Sequence, residues 1–212
     1  MKRTHDRRRD AHVALGLAAV AGFVDAVGFL ALGGFFVSFM TGNTTRAAVE
    51  LTAGHLGAAA VGLVVIVSFV GGVVTGSLVG DLAGRRRKTV VLLLVAVLLA
   101  AAGVVHLGGG ATLVSALIVA AAMGAENAVF ERDGGISLTY MTGTLVTMAR
   151  TIAARIQGRS SESWVRPLMM WAALAGGAIL GAAAFAIVGL GAPVVALVAV
   201  LVAAGVVFSM GD

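Results

Sequence analysis

The chain has 212 residues, of which 59% are hydrophobic and 12% charged, with a net charge of +5; its mean hydropathy of +1.04 excludes a water-soluble domain. Apolar runs longer than the roughly 18 residues that mark a membrane-spanning helix recur along it without the alternation of a membrane β-strand, so an all-α polytopic membrane protein is expected. Cysteine is absent, which excludes disulfides and thiolate metal ligands, and the basic residues sit in short loops between apolar runs, where they orient helices rather than bind nucleic acid.

The opening "KRTHDRRRD" precedes an apolar run. No convincing small-residue cleavage site follows it and further spans do, so it reads as the cytoplasmic flank of a retained first helix. Six transmembrane helices are expected over residues 11–32, 57–80, 89–107, 111–130, 168–189 and 192–210. Two further pieces, 34–53 and 134–158, are too polar to cross alone. If neither crosses, the N-terminus, the "RRRK" turn at 85–88 and Arg132, Arg150, Arg155, Arg159 and Arg166 share one side. Of the fifteen basic residues only Arg46 then faces the other side. That distribution obeys the positive-inside rule and makes both termini cytoplasmic.

In the first piece, Gly33 and Gly34 break the helix before "FFVSFM" and "TGNTTRAAVE". Thr41, Asn43 and Thr44 are suitable N-cap residues for a short helix, and Arg46 and Glu50 are placed to pair along it. An extended segment that dips inward and a short helix that returns would present backbone N–H groups, hydroxyls and the positive end of a helix dipole. Such a turn suits an anion or a polar neutral solute; equally, threonine, glycine and asparagine are ordinary helix-start chemistry at a membrane face. The second piece carries Tyr140, Thr142, Gly143 and Thr144 in "TYMTGT". Arg150 lies near its turn as a second anion contact beside Arg46, with cytoplasmic anchoring as the plainer reading.

Asp25 and Glu126 are the two carboxylates within spans, each past the midpoint on the side where its own half's loop piece enters. An ionisable residue at that depth points to the bundle interior and to function. Proton or cation coupling is one reading, and a structural tie to the adjacent loop is the other. Asn127 is a neutral counterpart in register with Asp25. Gly72, Gly76, Gly80 and Gly84, and Gly177 with Gly181, form small-residue helix faces suited to an intramolecular or a homodimer contact. No nucleophile–base pair, phosphate loop, cofactor motif or metal cluster stands out, so neither an enzyme, a cofactor nor a metal is expected.

The chain repeats itself. "GFVDAVGF" from Gly22 resembles "GAENAVFE" from Gly124, and "MTGNT" at Met40 matches "MTGT" at Met141. Gly76 and Gly80 correspond to Gly177 and Gly181 at the same spacing as Met40 to Met141. A single membrane domain, 1–212, is therefore expected, with repeat 1 over 11–107 and repeat 2 over 111–210. Each half has three spans and one re-entrant or half-helix element, so the second half is inverted relative to the first.

"GFVDAVGFLALGGFFVSFMTGNT", together with "GAENAVF" and "TYMTGT", resembles the YoaK-type family of bacterial inner-membrane proteins of unknown function. The resemblance runs from Ala11 to Met210 and implies about six spans and an inner-membrane location. Asp25, Thr41, Gly42, Asn43, Thr44, Asn127, Thr142, Gly143 and Thr144 match its pattern. Glu126 stands where the family usually has glutamine. The resemblance supplies no substrate, so function is read from the site. The reading is a secondary transporter of a small polar or anionic solute. Thr41, Gly42, Asn43, Thr44, Asn127, Tyr140, Thr142, Gly143 and Thr144 would line its central site, and Asp25 and Glu126 would couple a proton. The alternatives are a passive channel on the same frame and a structural or signalling membrane subunit.

Overall fold

In a computed structural model of the chain, residues 2–130, 141–159, 163–189, 204 and 207 are described, with side chains from residue 11 onward and Val188 excepted. All regular structure among them is helical. α1 is Lys2–Ala31, α2 Met40–Thr52, α3 Leu56–Ala83, α4 Arg87–Leu107, α5 Thr112–Glu126, α6 Met141–Ile156 and α7 Val165–Val188. Three stretches are long and apolar enough to cross a membrane, namely Ala11–Ala31, Leu56–Leu107 and Val165–Ile187. The second of these, 52 residues long, is divided into α3 and α4 by a 3₁₀ turn at Gly84–Arg86. Glycines with positive φ follow six of the helices, among them Gly33 after α1, Gly84 after α3 and Gly189 after α7. A left-handed residue there turns the chain without a Cβ penalty.

Helix directions follow from named contacts. Ser68 and Gly72 of α3 meet Leu117 and Ala121 of α5, and Gly76 meets Ala125, so α3 and α5 run parallel. Ser115 bonds the Ala102 carbonyl while Arg87 bonds that of Ala128, so α4 and α5 are antiparallel. The last turns of α1 and the first of α5 line one cavity, which makes that pair antiparallel too. Gly177 meets Ala19 and Gly181 meets Phe23, so α1 and α7 are parallel. The most extensive helix pairings are α1 with α7 and α3 with α5. Neither α2 nor α6 therefore reverses the alternation of the long helices: α1 and α7 point one way, α3 and α5 the other.

The two parallel pairs match residue for residue. Gly72 lies against the Ala121 carbonyl and Gly177 against that of Ala19; Gly76 lies on Ala125 and Gly181 on Phe23. From the other side, Gly124 meets the Phe69 carbonyl and Gly22 that of Leu174. At all six glycines a Cβ would collide with the facing helix. Such backbone proximity is what small residues supply where lipid gives no hydrophobic drive to association. The ladder thus makes intramolecular contacts.

The structure moves several expected boundaries. By their contacts Gly72 and Gly76, not Gly76 and Gly80, take the positions of Gly177 and Gly181. A ladder of glycines four apart aligns equally well one helical turn out of step, so the sequence could not choose. Gly80 instead makes room for the Arg87 side chain, and Gly84 is a turn residue with φ 56°. The fourth expected span, 111–130, is helical only to Glu126, a 15-residue helix followed by a turn. The sixth, 192–210, lies outside the described residues apart from Ala204 and Val207, which are helical and buried.

Gly71 and Gly72 give a paired test. Gly72→Ala should destabilise the protein by about 1–3 kcal/mol, because the methyl must push α3 off α5. Gly71→Ala, with nothing within 4 Å, should be neutral or stabilising by up to about 1 kcal/mol through helix propensity. Reversible unfolding of the purified protein in mixed micelles reads both, and equal effects would show that the close approach is not made there.

Candidate functional site

After α1 the chain turns at Gly33 and Gly34, with φ 59° and 101°, and folds back along the helix it has just left. Val37 comes to lie against Gly28 and Ser38 against Asp25. Six residues separate Asp25 from the end of α1, so the segment descends by about 9 Å at the helical rise of 1.5 Å per residue. Its backbone lies outside any helix, with bends at Val37 and Ser38, and needs partners from elsewhere.

Two side chains satisfy it. The Asp25 carboxylate accepts hydrogen bonds from Val37 N at 2.9 Å, Ser38 N at 2.6 Å and Ser38 Oγ at 2.6 Å. Asn43, fully buried in the first turns of α2, pairs with both backbone groups of Phe36 as a neighbouring strand would. Phe36 N donates to Asn43 Oδ1 at 2.8 Å, and Asn43 Nδ2 donates to the Phe36 carbonyl at 2.7 Å. Hydrogen bonds to a charged acceptor are worth about 1.5–3 kcal/mol and neutral ones about 1, so these two residues account for most of what holds the segment down.

The structure divides the predicted "TGNT" group. Gly42 and Asn43 face the segment: a Cβ on Gly42 would strike the Phe36 and Phe39 rings, which pack edge to face at 5.4 Å. Thr41 and Thr44 are exposed, and Thr44 Oγ1 returns to the Met40 carbonyl at 3.0 Å. The expected N-caps are corrected as well. α2 begins at Met40 with no side-chain cap at Phe39, because the Asn43 amide is engaged by Phe36 and the threonines already lie within the first turn. Arg46 and Glu50 pair as expected at 3.6 Å; Arg46 also covers the Phe35 ring at 4.6 Å, and Glu50 meets His55 Nδ1 at 2.8 Å.

In the second half, Tyr140 and most of the loop before α6 lie outside the described residues. Thr142 is exposed, Gly143 and Thr144 are half-buried, and Arg150 is exposed. Thr147 Oγ1 donates to the Gly143 carbonyl at 2.9 Å, and the buried Thr151 continues the row to the Thr147 carbonyl at 2.9 Å. α6 packs on α7 as α2 packs on α3. Asn127 donates to the Met123 carbonyl at 2.9 Å. Because α1 and α5 are antiparallel, the levels of Asp25 and Asn127 are on the order of 10 Å apart along the bundle.

Among the described residues Glu126 stands apart from the other buried polar groups. It has no exposed surface, and neither carboxylate oxygen has a hydrogen-bond partner. Two residues that sequence reasoning missed also matter. Ser38 supplies two of the three bonds to Asp25; a serine in the apolar run "FFVSFM" was the available sign. Arg87, taken as one topology residue among four, is buried, pairs with Asp81 at 2.7 Å and donates to the Ala128 carbonyl at 2.9 Å. An aspartate one turn before "RRRK" was its only signal.

A cavity of about 30 Å³ lies where α1, α4, α5 and the fold-back segment meet, lined by Val24, Val37, His106, Thr112, Ser115 and apolar neighbours. That is room for one or two waters rather than a metabolite. Val37 is shared by the cavity wall and the Asp25 tie, so the conformation described is closed at this end.

Among known proteins, the family model described as "Protein of unknown function (DUF1275)" matches residues 13–207. A UPF0700 transmembrane protein, RA0705, from Rhizobium meliloti (strain 1021) is 38% identical over 182 residues, which cover 83% of this chain and 78% of the relative. No solved structure matches. The YoaK-type resemblance read from the motifs is this same family of membrane proteins.

The pairing of Asn43 with Phe36 predicts an asymmetric response. Asn43→Asp keeps the acceptor for Phe36 N but sets an oxygen against the Phe36 carbonyl, and should cost about 2–4 kcal/mol. Thr44→Val, at an exposed position, should cost under about 1 kcal/mol. Thermal unfolding in detergent measures both; equal losses would mean that Asn43 does not brace the segment.

Proposed function

The chain belongs to the DUF1275 family of membrane proteins, and for it we propose a secondary transporter of a small polar or anionic solute, built as one domain of two inverted repeats. Helix α1, the fold-back segment with α2, α3 and α4 form the first repeat. α5, α6, α7 and the segment around Ala204 and Val207 form the second. The observation that carries the reading is the exchange of partners between the halves. α1 packs on α7 of the other repeat and α5 on α3, with matched glycine contacts, and α1 and α5 run in opposite directions. A two-fold axis in the membrane plane relates pairs in this way, as in many transporters.

In this frame the fold-back segment and α2 are a re-entrant element entering from the outer face, and α6 ends its counterpart from the cytoplasmic face. The positive-inside rule would place both termini and the "RRRK" turn in the cytoplasm of an inner-membrane protein. The solute would bind between the two elements, towards α6, Asn127 and the start of α2. Asp25 and Asn43 hold the first element and stand behind the site, and Thr142, Thr144 and the helix termini supply its polar contacts. Movement of one repeat against the other would open the closed end at Val37. The same ties favour a second reading, a structural membrane subunit, since they leave the first motif with no free polar group facing inward.

Purified protein in liposomes distinguishes the readings. With a panel of small carboxylates, phosphate, sulfate, amino acids and polyols, at least one solute should show saturable counterflow, with unlabelled solute inside accelerating entry of label. Thr142→Val with Thr144→Val should reduce it at least tenfold. Entry that does not saturate would indicate a channel; no entry above that of empty liposomes, for any solute, would favour the structural subunit.

A further inference from the structure

We propose that Glu126 is a proton-binding site in the bundle core, and that it, rather than Asp25, carries the coupling proton; its place in a transport cycle rests on the reading above, whereas its existence does not. Glu126 ends α5 among buried apolar residues of its own turn and the next, Ala122, Met123, Ala125 and Val129. The side chain is fully buried and both oxygens lack a partner. A bare carboxylate in such a place loses its hydration with nothing in exchange, which costs far more than a native fold can absorb. Something must neutralise it.

The choice of ligand follows from what surrounds it. Among the described side chains, the ionisable ones on helices packed against α5 are His12 and Asp25 on α1, Asp81 on α3, and Arg87, Lys88 and His106 on α4. Arg87 is held by Asp81 and the Ala128 carbonyl, and Lys88 sits over the Phe130 ring at 5.2 Å. Asp25, on the adjoining helix α1, is an acid like Glu126 and offers it no opposite charge. Among the described residues, therefore, no cationic side chain neutralises Glu126. A metal cation requires several oxygen ligands, and among the described residues no group of three or more His, Cys, Asp or Glu is arranged to share one. A proton needs one oxygen. The step adds one proton to one carboxylate oxygen and removes one negative charge; no other bond is made or broken.

Asp25 is the internal contrast. Its oxygens accept three hydrogen bonds from the fold-back segment, which compensates the charge in place. A proton on Asp25 would turn these charge-assisted bonds into weaker neutral ones. It therefore acts as a fixed anchor.

The test is infrared difference spectroscopy of the purified full-length protein in lipid nanodiscs, titrated with acid and base in light and heavy water. A carboxylic-acid carbonyl band sensitive to deuteration is expected. It should be lost in Glu126→Gln and retained, shifted if at all, in Asp25→Asn. Glu126→Met is the second variant should the glutamine fail to fold. Carboxyl-¹³C glutamate in the wild-type chain should move the band, and labelled aspartate should leave it in place. Absence of any such band over the titration, its survival in both Glu126 variants, or its movement with labelled aspartate would overturn the proposal. A normal band in a protein that shows no counterflow would leave the proton site standing and remove the transporter reading alone.

Discussion

The carboxylate of Asp25 and the amide of Asn43, bonded to the backbone of residues 36–38, are the interaction on which the first half of the molecule depends. Hydrocarbon offers no hydrogen bonds, so any stretch that leaves helical geometry inside a bundle must find partners within the protein. Here one helix before the segment and one after it each contribute a single side chain. Much of the local sequence then becomes intelligible as accommodation. Gly28 admits Val37, Gly42 admits the Phe36 and Phe39 rings, and Gly62 admits Phe35 and Ala47. Those glycines are the clearance the fold-back needs, while Gly33 and Gly34 supply the turn itself.

A second constraint acts at longer range. The close approach of α1 to α7 and of α3 to α5 shows helix direction, because successive glycines meet facing residues in the same chain order, Gly72 with Ala121 and then Gly76 with Ala125. Once those directions are set, α2 and α6 can make no net crossing, and the two motif-bearing pieces lie towards opposite ends of the bundle. The charge distribution leads to the same arrangement by an unrelated route: arginine and lysine cluster at one set of helix ends. Packing and charge need not have agreed, and their agreement is what makes the topology consistent.

Much of this was legible in the sequence. Length and hydropathy gave the long helices, and Gly33, Gly34 and the polar "TGNT" marked the interruption. What the sequence could not separate were alternatives that differ only in three dimensions. Thr41, Gly42, Asn43 and Thr44 look like one polar group, yet their helical spacing turns two inwards and two outwards. The glycine ladder suggested a repeat without choosing its register, since one turn of slip maps glycine onto glycine. Arg87 was hidden among three other basic residues because its distinction, burial against Asp81 and Ala128, is a property of the turn and not of composition. Membership in a family without an assigned activity adds a setting and leaves chemistry to the site.

Asp25 and Glu126 show most sharply what structure adds. In the sequence they are equivalent, each a lone acid past the midpoint of a span and each ahead of a "TG" motif. In the fold they are opposites: one accepts three hydrogen bonds from Val37 and Ser38, the other has no partner among the described residues. Two carboxyl groups in one protein take different roles when their environments treat charge differently. A carboxylate whose charge is compensated in place makes a good strut, because removing the charge would release what it holds. A carboxyl group without compensation makes a poor strut, since no bond restrains it, and its burial is a cost that stability alone gives no reason to bear. Retaining such a group in an otherwise apolar turn is intelligible when its charge is meant to change.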